Sequence, residues 1–336
     1  MVTISDIAKK LGITPSTVSR ALSGSPRVKN TTREAVERMA EKLGYERNEA
    51  ASSLRRGKIN AVGIVVPRIN RAFFSNVIGG AESVLDEHGY SVIICQSHEK
   101  IEDEVKALKM LRSNRVAGVL ISHAIPSENG NHILENIDPN AVLVQFDRVF
   151  SELPGPRIVS ENYKGAYEGT RHLIENGYRR IGNIAGYLSS EAYVQRLQGY
   201  KQALLDMGME VDEEIIFYDS IVRETGYQAG KLAIERGCDA VYSAGDYSAL
   251  GVIDAVREAG LRIPDEFGIV GTANEQFTGL MTPSLSSMAQ HPYEMGRRAA
   301  QAFLTSLKPG AHVGEVSVPM ELIIRESSAR NHIGIL

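Results

Sequence analysis

The sequence predicts an all-α head followed by a hinge helix and an α/β body of two lobes, each lobe built on a doubly wound parallel sheet. Two patterns predict this fold class. Apolar residues recur at helical spacing through the first 45 positions, and from Asn60 onward short Val- and Ile-rich runs alternate with amphipathic segments in two successive series. A chain of 336 residues is long enough for about two to three such units.

The charge of the chain is unevenly divided along its length. Residues 1–58 contain twelve Lys and Arg against six Asp and Glu, a balance of +6, and the rest contains 25 against 35, a balance of −10. Such asymmetry indicates an anionic partner for the head alone. At this step DNA, RNA and a membrane surface all remain open as partners.

Composition argues against several classes of protein. The hydrophobic fraction of 43% and the charged fraction of 23% are ordinary for a globular protein. The longest apolar runs, such as residues 61–67, are far shorter than the roughly 18 residues of a membrane-spanning helix. The first 20 residues carry no secretory signal, so we predict a cytoplasmic protein with no membrane partner.

Enzyme chemistry is not predicted either. The sequence has no phosphate-binding glycine loop of the common types, no G-x-S-x-G turn and no H-E-x-x-H pair. Cys95 and Cys238 stand 143 positions apart within apolar runs, which favours two buried thiols over a disulfide or a metal site. We therefore predict no catalytic residue, no metal and no cofactor.

The helices of the head are predicted from apolar faces and end signals. The first face consists of Ile4, Ile7, Ala8 and Leu11. Thr3 and Asp6 form a capping-box pattern, and Gly12 permits a sharp turn. Thr14 and Pro15 then start a second helix with a hydroxyl cap and a first-turn proline.

A third helix is predicted from the capping-box pattern of Thr31 and Glu34 and ends at Gly44. The first two helices, short and joined by a glycine turn, form a helix-turn-helix pattern. The second of them is hydroxyl-rich and basic, which suits the major groove of DNA with Arg20 near the base edges. The alternative is a three-helix packing module without nucleic acid, which the balance of +6 disfavours.

The segment after the head predicts a conditional hinge helix. Residues 48–56 are mostly helix formers with a basic end, but the stretch is too short to be stable alone in water. Leu54 stands between Ser53 and Arg55, which is unusual for a linker. One hypothesis is an apolar wedge for a minor groove, and the other is a tether whose leucine packs on the body.

The chain resembles the lactose-repressor and galactose-repressor (LacI/GalR) family of bacterial transcription regulators. The resemblance rests on residues 3–12, 17–22, 28, 32–33, 43–45 and 53–54, which occur in order at the family's spacing. It implies a homodimer that binds a palindromic operator in double-stranded DNA, with Leu54 driven into the central minor groove. The chain departs from the family pattern at Arg47, where a proline is usual, and at Ser52, where an arginine is usual.

From the head pattern and this resemblance we predict ten DNA contacts and four chain segments. The contacts are Thr3, Thr14, Pro15, Ser16, Thr17, Ser19, Arg20, Asn30, Leu54 and Arg55. The segments are the helix-turn-helix domain 1–46, the hinge 47–58, the N-terminal lobe 59–161 with 290–321, and the C-terminal lobe 162–289 with 322–331.

The body is predicted from its alternation of strands and helices, which is typical of parallel sheets with helices on both faces. The predicted strands are residues 61–66, 91–95, 116–121, 141–146, 181–185, 215–218, 240–243 and 268–270, with further strands between 284 and 324. The predicted helices include those around 74–88, 102–112 and 292–307. The resemblance implies a periplasmic-binding-protein-like body whose chain crosses between lobes near 160, 290 and 321.

Ligands of doubly wound sheets bind at the carboxyl ends of the strands, so we expect the ligand in the cleft between the lobes. Segments after the predicted strands offer aromatic faces, hydroxyls, carboxylates and an arginine, which suit a sugar or a nucleobase. With the resemblance, these segments predict effector contacts at Phe73, Phe74, Asp147, Ser190, Arg196, Ile221, Asp246, Asn274 and Glu275. Asp246 could instead only cap the following helix, and Phe73 could belong to the core.

One departure in the cleft concerns Ala273. Many relatives have there an aspartate that accepts hydrogen bonds from sugar or ribose hydroxyls. Either Asn274 or Glu275 takes over that role, or the ligand lacks the hydroxyl pair. The resulting hypothesis is a homodimeric repressor of operator DNA controlled by a small-molecule effector, a sugar or related metabolite. The competing hypothesis is a solute-binding protein with the same two lobes and no DNA role.

Overall fold

In a computed structural model of the chain, the described residues are 2–23, 25–45, 59–125, 127 and 129–330. The chain divides into two compact units, Met1–Gly57 and Lys58–Leu336, which we call the head and the body. The predicted hinge helix, with Leu54, Arg55 and the departures at Arg47 and Ser52, lies outside the described residues. Among the described helices, none is long and apolar enough to cross a bilayer.

The head contains three helices: α1 (Ile4–Leu11), α2 (Pro15–Leu22) and α3 (Asn30–Leu43). Thr3 and Asp6 form the predicted capping box, and Gly12 ends α1 in the left-handed conformation with φ of 64°. The hydroxyl of Thr14 accepts the backbone N–H of Thr17, as predicted for the start of α2. The buried core consists of Ile7, Ala8, Val18, Ala21, Val28, Val36 and Ala40.

The predicted start of α3 was wrong. The helix begins at Asn30 after Lys29, and no side chain caps it, so Thr31 lies inside the first turn. The physical reason is tertiary: Val28 is buried in the head core, and Arg33 donates to the carbonyl of Ser25. These contacts bring the chain into the helix before the hydroxyl of Thr31 could act as a cap.

The first sheet of the body, which defines the N-lobe, is entirely parallel. Its strands are β1 (Ile59–Val66), β2 (Ser91–Gln96), β3 (Val116–Ile121), β4 (Val142–Phe146), β5 (Arg157–Ser160) and β11 (Glu315–Val318), in the order β11-β5-β4-β3-β1-β2. Its helices are α4 (Ala72–Glu87), α5 (Ile101–Ser113), α6 (Asn131–Asn136) and α11 (Pro292–Ser306).

The second sheet, which defines the C-lobe, is parallel except where β12 pairs with β10. Its strands are β6 (Ile181–Ile184), β7 (Ile216–Phe217), β8 (Ala240–Ser243), β9 (Gly268–Ala273), β10 (Ser286–Ala289) and β12 (Glu321–Ile323), in the order β12-β10-β9-β8-β6-β7. The C-lobe helices are α7 (Asn162–Glu175), α8 (Glu191–Asp206), α9 (Arg223–Glu235) and α10 (Asp246–Glu258), with short 3₁₀ turns at Glu213–Ile215 and Gln276–Gly279.

Close helix packing holds α4 in place. A Cβ atom on Gly80 would collide with the carbonyl of Tyr293 in α11, and one on Gly296 would collide with the carbonyl of Val77 in α4. Two glycines therefore allow the backbones of α4 and α11 to approach directly. This packing positions the first turn of α4, which faces the cleft described below.

The predicted fold class, an all-α head on an α/β body with two sheets, is confirmed. The sequence did not predict β5, which has only four residues. The sequence predicted that β9 ends at residue 270, whereas the strand continues to Ala273. The chain passes from one sheet to the other after β5, after β10 and after β11.

Candidate functional site

A cavity of about 520 Å³ lies between the two lobes of the body. Loops that follow β1 and β4 line it from the N-lobe, and loops that follow β6, β8 and β9 line it from the C-lobe. Seven of the predicted effector contacts lie on its wall: Phe73, Phe74, Asp147, Arg196, Ile221, Asp246 and Glu275. The carboxyl ends of strands in both lobes thus meet at one space, as expected for doubly wound sheets.

Two predicted contacts are not on this wall. Ser190 precedes α8 and is buried, and its hydroxyl has no hydrogen-bond partner in the described part of the chain, whereas its neighbour Ser189 lines the cavity. The side-chain oxygen of Asn274 accepts from Arg325 at 2.7 Å and from Thr278 at 3.3 Å. Asn274 lines a separate cavity of about 430 Å³.

The N-lobe contributes a carboxylate that is left largely free of strong ion pairing. Asp147 directly follows β4 with φ of 58°, and burial raises the pKa of its carboxyl above 3.8. The adjacent Arg148 is bound mainly by Glu99, at 2.9 and 3.0 Å, and its Nε lies 3.9 Å from Asp147. Since Glu99 holds the arginine, the Asp147 carboxylate can accept hydrogen bonds from a ligand.

The C-lobe contributes a buried guanidinium. Arg196 on α8 donates from Nε to the side-chain oxygen of Asn162 at 2.8 Å and from one terminal nitrogen to the carbonyl of Ala244 at 2.6 Å. Its guanidinium also lies 5.2 Å from the ring centre of Tyr193, three residues earlier on the same helix. Both oxygen acceptors are uncharged, so the positive charge of Arg196 is fixed in position without being neutralised by them.

Asp246 does more than begin a helix. Gly245 occupies the N-cap position, and the Asp246 carboxylate accepts from the hydroxyl of Ser287 at 2.7 Å and from the backbone N–H of Glu275 at 2.8 Å. Burial raises the pKa of Asp246 from 3.8 to about 6, against the opposing effect of these hydrogen bonds. The interpretation that Asp246 only caps α10 is therefore wrong, because it ties α10 to β10 and to the loop after β9.

The loop after β9 contains Asn274 and Glu275, the two candidates to replace the aspartate that Ala273 lacks. Glu275 lies on the cavity wall, and its carboxylate faces Arg71 and the backbone N–H groups of Ala72 and Phe73 at the start of α4. Burial raises the pKa of Glu275 above 4.5, and Arg71 and the two N–H groups oppose that effect. The carboxylate is thus engaged by the first turn of α4.

Aromatic rings form much of the remaining wall. Phe73 and Phe74 meet edge to face with ring centres 5.1 Å apart; Phe74 is in the N-lobe core, and Phe73 packs against that core and also lines the cavity. Sequence reasoning missed several lining residues: Ile125, Tyr187, Tyr193, Val222, Ala244, Tyr247, Thr272 and Gln290. Helical spacing before Arg196 could have revealed Tyr193, whereas no local signal marks Gln290.

The predicted DNA contacts in the head lie outside its core. Thr3, Thr14, Pro15, Ser16, Arg20 and Asn30 are exposed, and Thr17 and Ser19 are half-buried. The hydroxyl of Thr14 lies 2.8 Å from that of Ser16 and 2.9 Å from that of Thr17. The helix α2 therefore buries Val18 and Ala21 and presents its hydroxyls and Arg20 on the opposite side.

Residues of the chain match two family models. Residues 3–48 match the family described as bacterial regulatory proteins, lacI family, and residues 170–328 match the periplasmic binding protein-like domain. The HTH-type transcriptional repressor CytR of Escherichia coli (strain K12) is 32% identical over 331 residues, which cover 97% of this chain and 96% of CytR. The chain belongs to the LacI family.

Solved structures resemble this LacI-family member over nearly its full length. The transcriptional regulator CelR in complex with cellobiose is 28% identical with a TM-score of 0.72 and covers 97% of this chain and 100% of its own. The Lac repressor dimer bound to operator and the anti-inducer ONPF has a TM-score of 0.83 at 23% identity, with coverage of 98% and 99%, and shows the fold alone.

Membership of the LacI family confirms the resemblance stated from the motifs. The protein is a DNA-binding transcription regulator and not an enzyme. The match over residues 3–48 includes the three helices of the head, and nothing found supports a solute-binding protein without a DNA role. Within the described ranges, no group of three or more His, Cys, Asp and Glu side chains is placed to hold a metal ion.

Proposed function

We propose that this LacI-family member is a homodimeric repressor that binds a palindromic operator and is controlled by a small-molecule effector in the interlobe cavity. The observation that carries the proposal is the presence in one chain of a basic helix-turn-helix and of a cavity whose walls hold an ionisable carboxyl and a guanidinium from opposite lobes. As a regulator of DNA, the protein acts in the cytoplasm.

In this proposal the head reads the operator through α2. The first turn of α2 has no acidic residue, so the positive end of the helix is available to a phosphate beside Ser16. The other contacts of α2 are its N-cap residue Thr14 and its residues Pro15, Ser19 and Arg20. Thr3, which caps α1, and Asn30, the first residue of α3, contact the DNA backbone. Arg20 is the residue of this set suited to a guanine edge.

The hinge completes the proposed DNA contact. Leu54 contacts the minor groove as an apolar wedge and Arg55 contacts a phosphate, although both residues lie outside the described part of the chain. Residues 59–161 with 290–321 and residues 162–289 with 322–331 then act as the two lobes whose relative position the effector controls. A ligand shifts that position only through unequal affinity for the two states.

The proposed effector is a sugar or sugar derivative. Aromatic rings such as Tyr187 and Tyr193 suit the apolar faces of a ring compound, and Asp147 and Arg196 suit its hydroxyls from opposite sides. CelR, which shares the fold, was solved with cellobiose. Ala273 offers no carboxylate, and the carboxylate of Glu275 faces Arg71 and the start of α4. The hydroxyls of the proposed ligand therefore donate to the carboxylate of Asp147.

The test is selection of genomic DNA fragments by the purified full-length protein. Enriched fragments should share a palindrome, and sugars processed by the products of the adjacent genes should change the affinity for it. An Arg20→Ala variant serves as a control that should lose the enrichment while keeping sugar binding. Enrichment no better than that of random DNA would overturn the proposal.

A further inference from the structure

Three contacts between the lobes surround the cavity. The guanidinium of Arg71 lies 3.6 Å from the ring centre of Tyr247, and the carboxylate of Glu275 faces Arg71 and the first turn of α4. The hydroxyl of Ser189 donates to the carbonyl of Ile125 at 3.3 Å. In each case one partner belongs to the N-lobe and the other to the C-lobe, so the protein itself supplies links across the cleft.

The contact of Glu275 has the features of a strong link. Its carboxylate comes from a residue only 8% exposed and meets the N-terminal end of a 16-residue helix that has no side-chain cap of its own. A carboxylate is stabilised there by the unpaired N–H groups and the helix dipole. The backbone N–H of Glu275 is bonded to Asp246, which holds the residue in place from within the C-lobe.

The contact of Arg71 adds a second, chemically different link. Arg71 occupies the N-cap position of α4, beside the N–H groups that Glu275 faces. Its partner Tyr247 packs edge to face on Phe277 at 5.1 Å, so the ring is held within the C-lobe. A guanidinium over a tyrosine face is attracted to the ring, and the attraction grows as water is removed.

We propose that Arg71, Tyr247 and Glu275 form a latch that holds the two lobes closed. The latch residues line the effector cavity, so a ligand that enters between them acts on an equilibrium that the protein has already biased. The consequence for operator affinity depends on the proposed function, but the latch itself is a property of the body.

The experiment measures the distance between the lobes in the full-length protein without ligand. Spin labels are placed on cysteines at Lys109 of α5 and Glu235 of α9, both exposed, after Cys95 and Cys238 are replaced by alanine. When labelled chains are diluted into an excess of unlabelled protein, so that a dimer holds one labelled chain, the unaltered protein should give one short population. Glu275→Gln should lower the closed-to-open ratio about tenfold, since the negative charge that faces Arg71 and the N-terminal end of α4 is lost. The double variant Arg71→Met and Glu275→Gln should be mainly open.

Glu326→Gln is the matched control, because Glu326 also accepts a backbone N–H, from Ser284 at 2.7 Å, but lies on neither wall of the cavity. It should leave the distance unchanged. Tyr247→Leu tests the latch from the other lobe should the double variant fail to fold. An open distribution in the unaltered protein, or unchanged distances in the double variant or in Tyr247→Leu, would overturn the proposal. Because no DNA is used, failure of operator binding cannot produce either result.

Discussion

The head and the body place their functional groups in opposite ways. The head keeps its core small and apolar, and its proposed contacts are exposed hydroxyls and one arginine on a short helix. The body encloses its charged groups, with Asp246 at 1% and Arg196 at 6% exposure between two sheets. Recognition of a polymer as large as DNA needs an outward surface, whereas capture of a small molecule needs buried groups that are already oriented.

The largest expected effect is a loss of stability in one of these units that leaves the stability of the other unchanged. Ile7 is fully buried in the head core, so Ile7→Ala should cost about 2–5 kcal/mol there and abolish operator binding. Calorimetry should show the transition of the body unchanged. Ile64→Ala, in the N-lobe core, is the reciprocal control and should lower only the transition of the body. A single transition shifted by both changes would show that the two units do not unfold independently.

The second prediction uses the buried carboxyl of the body. The native pKa of Asp246 is raised to about 6, so between 3.8 and 6 the native state binds more protons than the unfolded state. The stability that this group contributes is fully present below pH 3.8 and is lost as the pH rises through about 6, a change of about 3 kcal/mol. Asp246→Asn should flatten the unfolding free energy of the body across this window in urea titrations.

The head provides the contrast for that measurement. The pKa of its Asp6 is lowered below 3.8, first by the hydroxyl and then by the backbone N–H of Thr3. The contribution of Asp6 is therefore present above pH 3.8 and is lost only as the pH falls through the lowered value. A head transition that weakened between pH 4 and 6 would contradict this contrast.

A third prediction concerns the surface of the head. Arg20→Ala should weaken specific operator binding by about 1–3 kcal/mol, because the exposed guanidinium is the proposed contact to a base edge. Fluorescence anisotropy with operator and with scrambled DNA measures the difference. Lys42→Ala, on the last turn of α3, removes the same charge elsewhere on the head. Equal losses for both variants on both DNAs would refute base recognition by Arg20.

The smallest effect tests the helix starts of the head. Thr3→Ala should destabilise the head by about 1 kcal/mol, because Thr3 caps α1 through its hydroxyl. Thr31→Ala should change stability by much less, since Thr31 lies inside α3 and caps nothing. Urea unfolding of the head followed by circular dichroism compares the two. If both variants lost a similar amount of unfolding free energy, Thr31 would act as a cap, which would contradict the observed start of α3.

Local patterns explain which features of the fold were predictable. The box of Thr3 and Asp6 and the left-handed Gly12 involve residues at most a few positions apart, so sequence alone could identify them. The start of α3 was missed because Val28 enters a core formed by distant residues. The short β5 was missed because its pairing with β4 and β11, not its composition, makes it a strand.

The effector site shows the same division. The sequence alone determined the alternation of strands and helices, the basic head and most of the segments that meet at the cleft, because periodicity and charge are properties of the chain itself. Only the tertiary structure decided that the Glu275 carboxylate faces α4, that Asn274 accepts from Arg325 and that Asp246 accepts from Ser287. The partners are distant in the sequence: Asp246 and Glu275 are 29 positions apart, and Ala72 and Glu275 are 203 positions apart. Burial, which sets their charges and partners, exists only once the two sheets have formed.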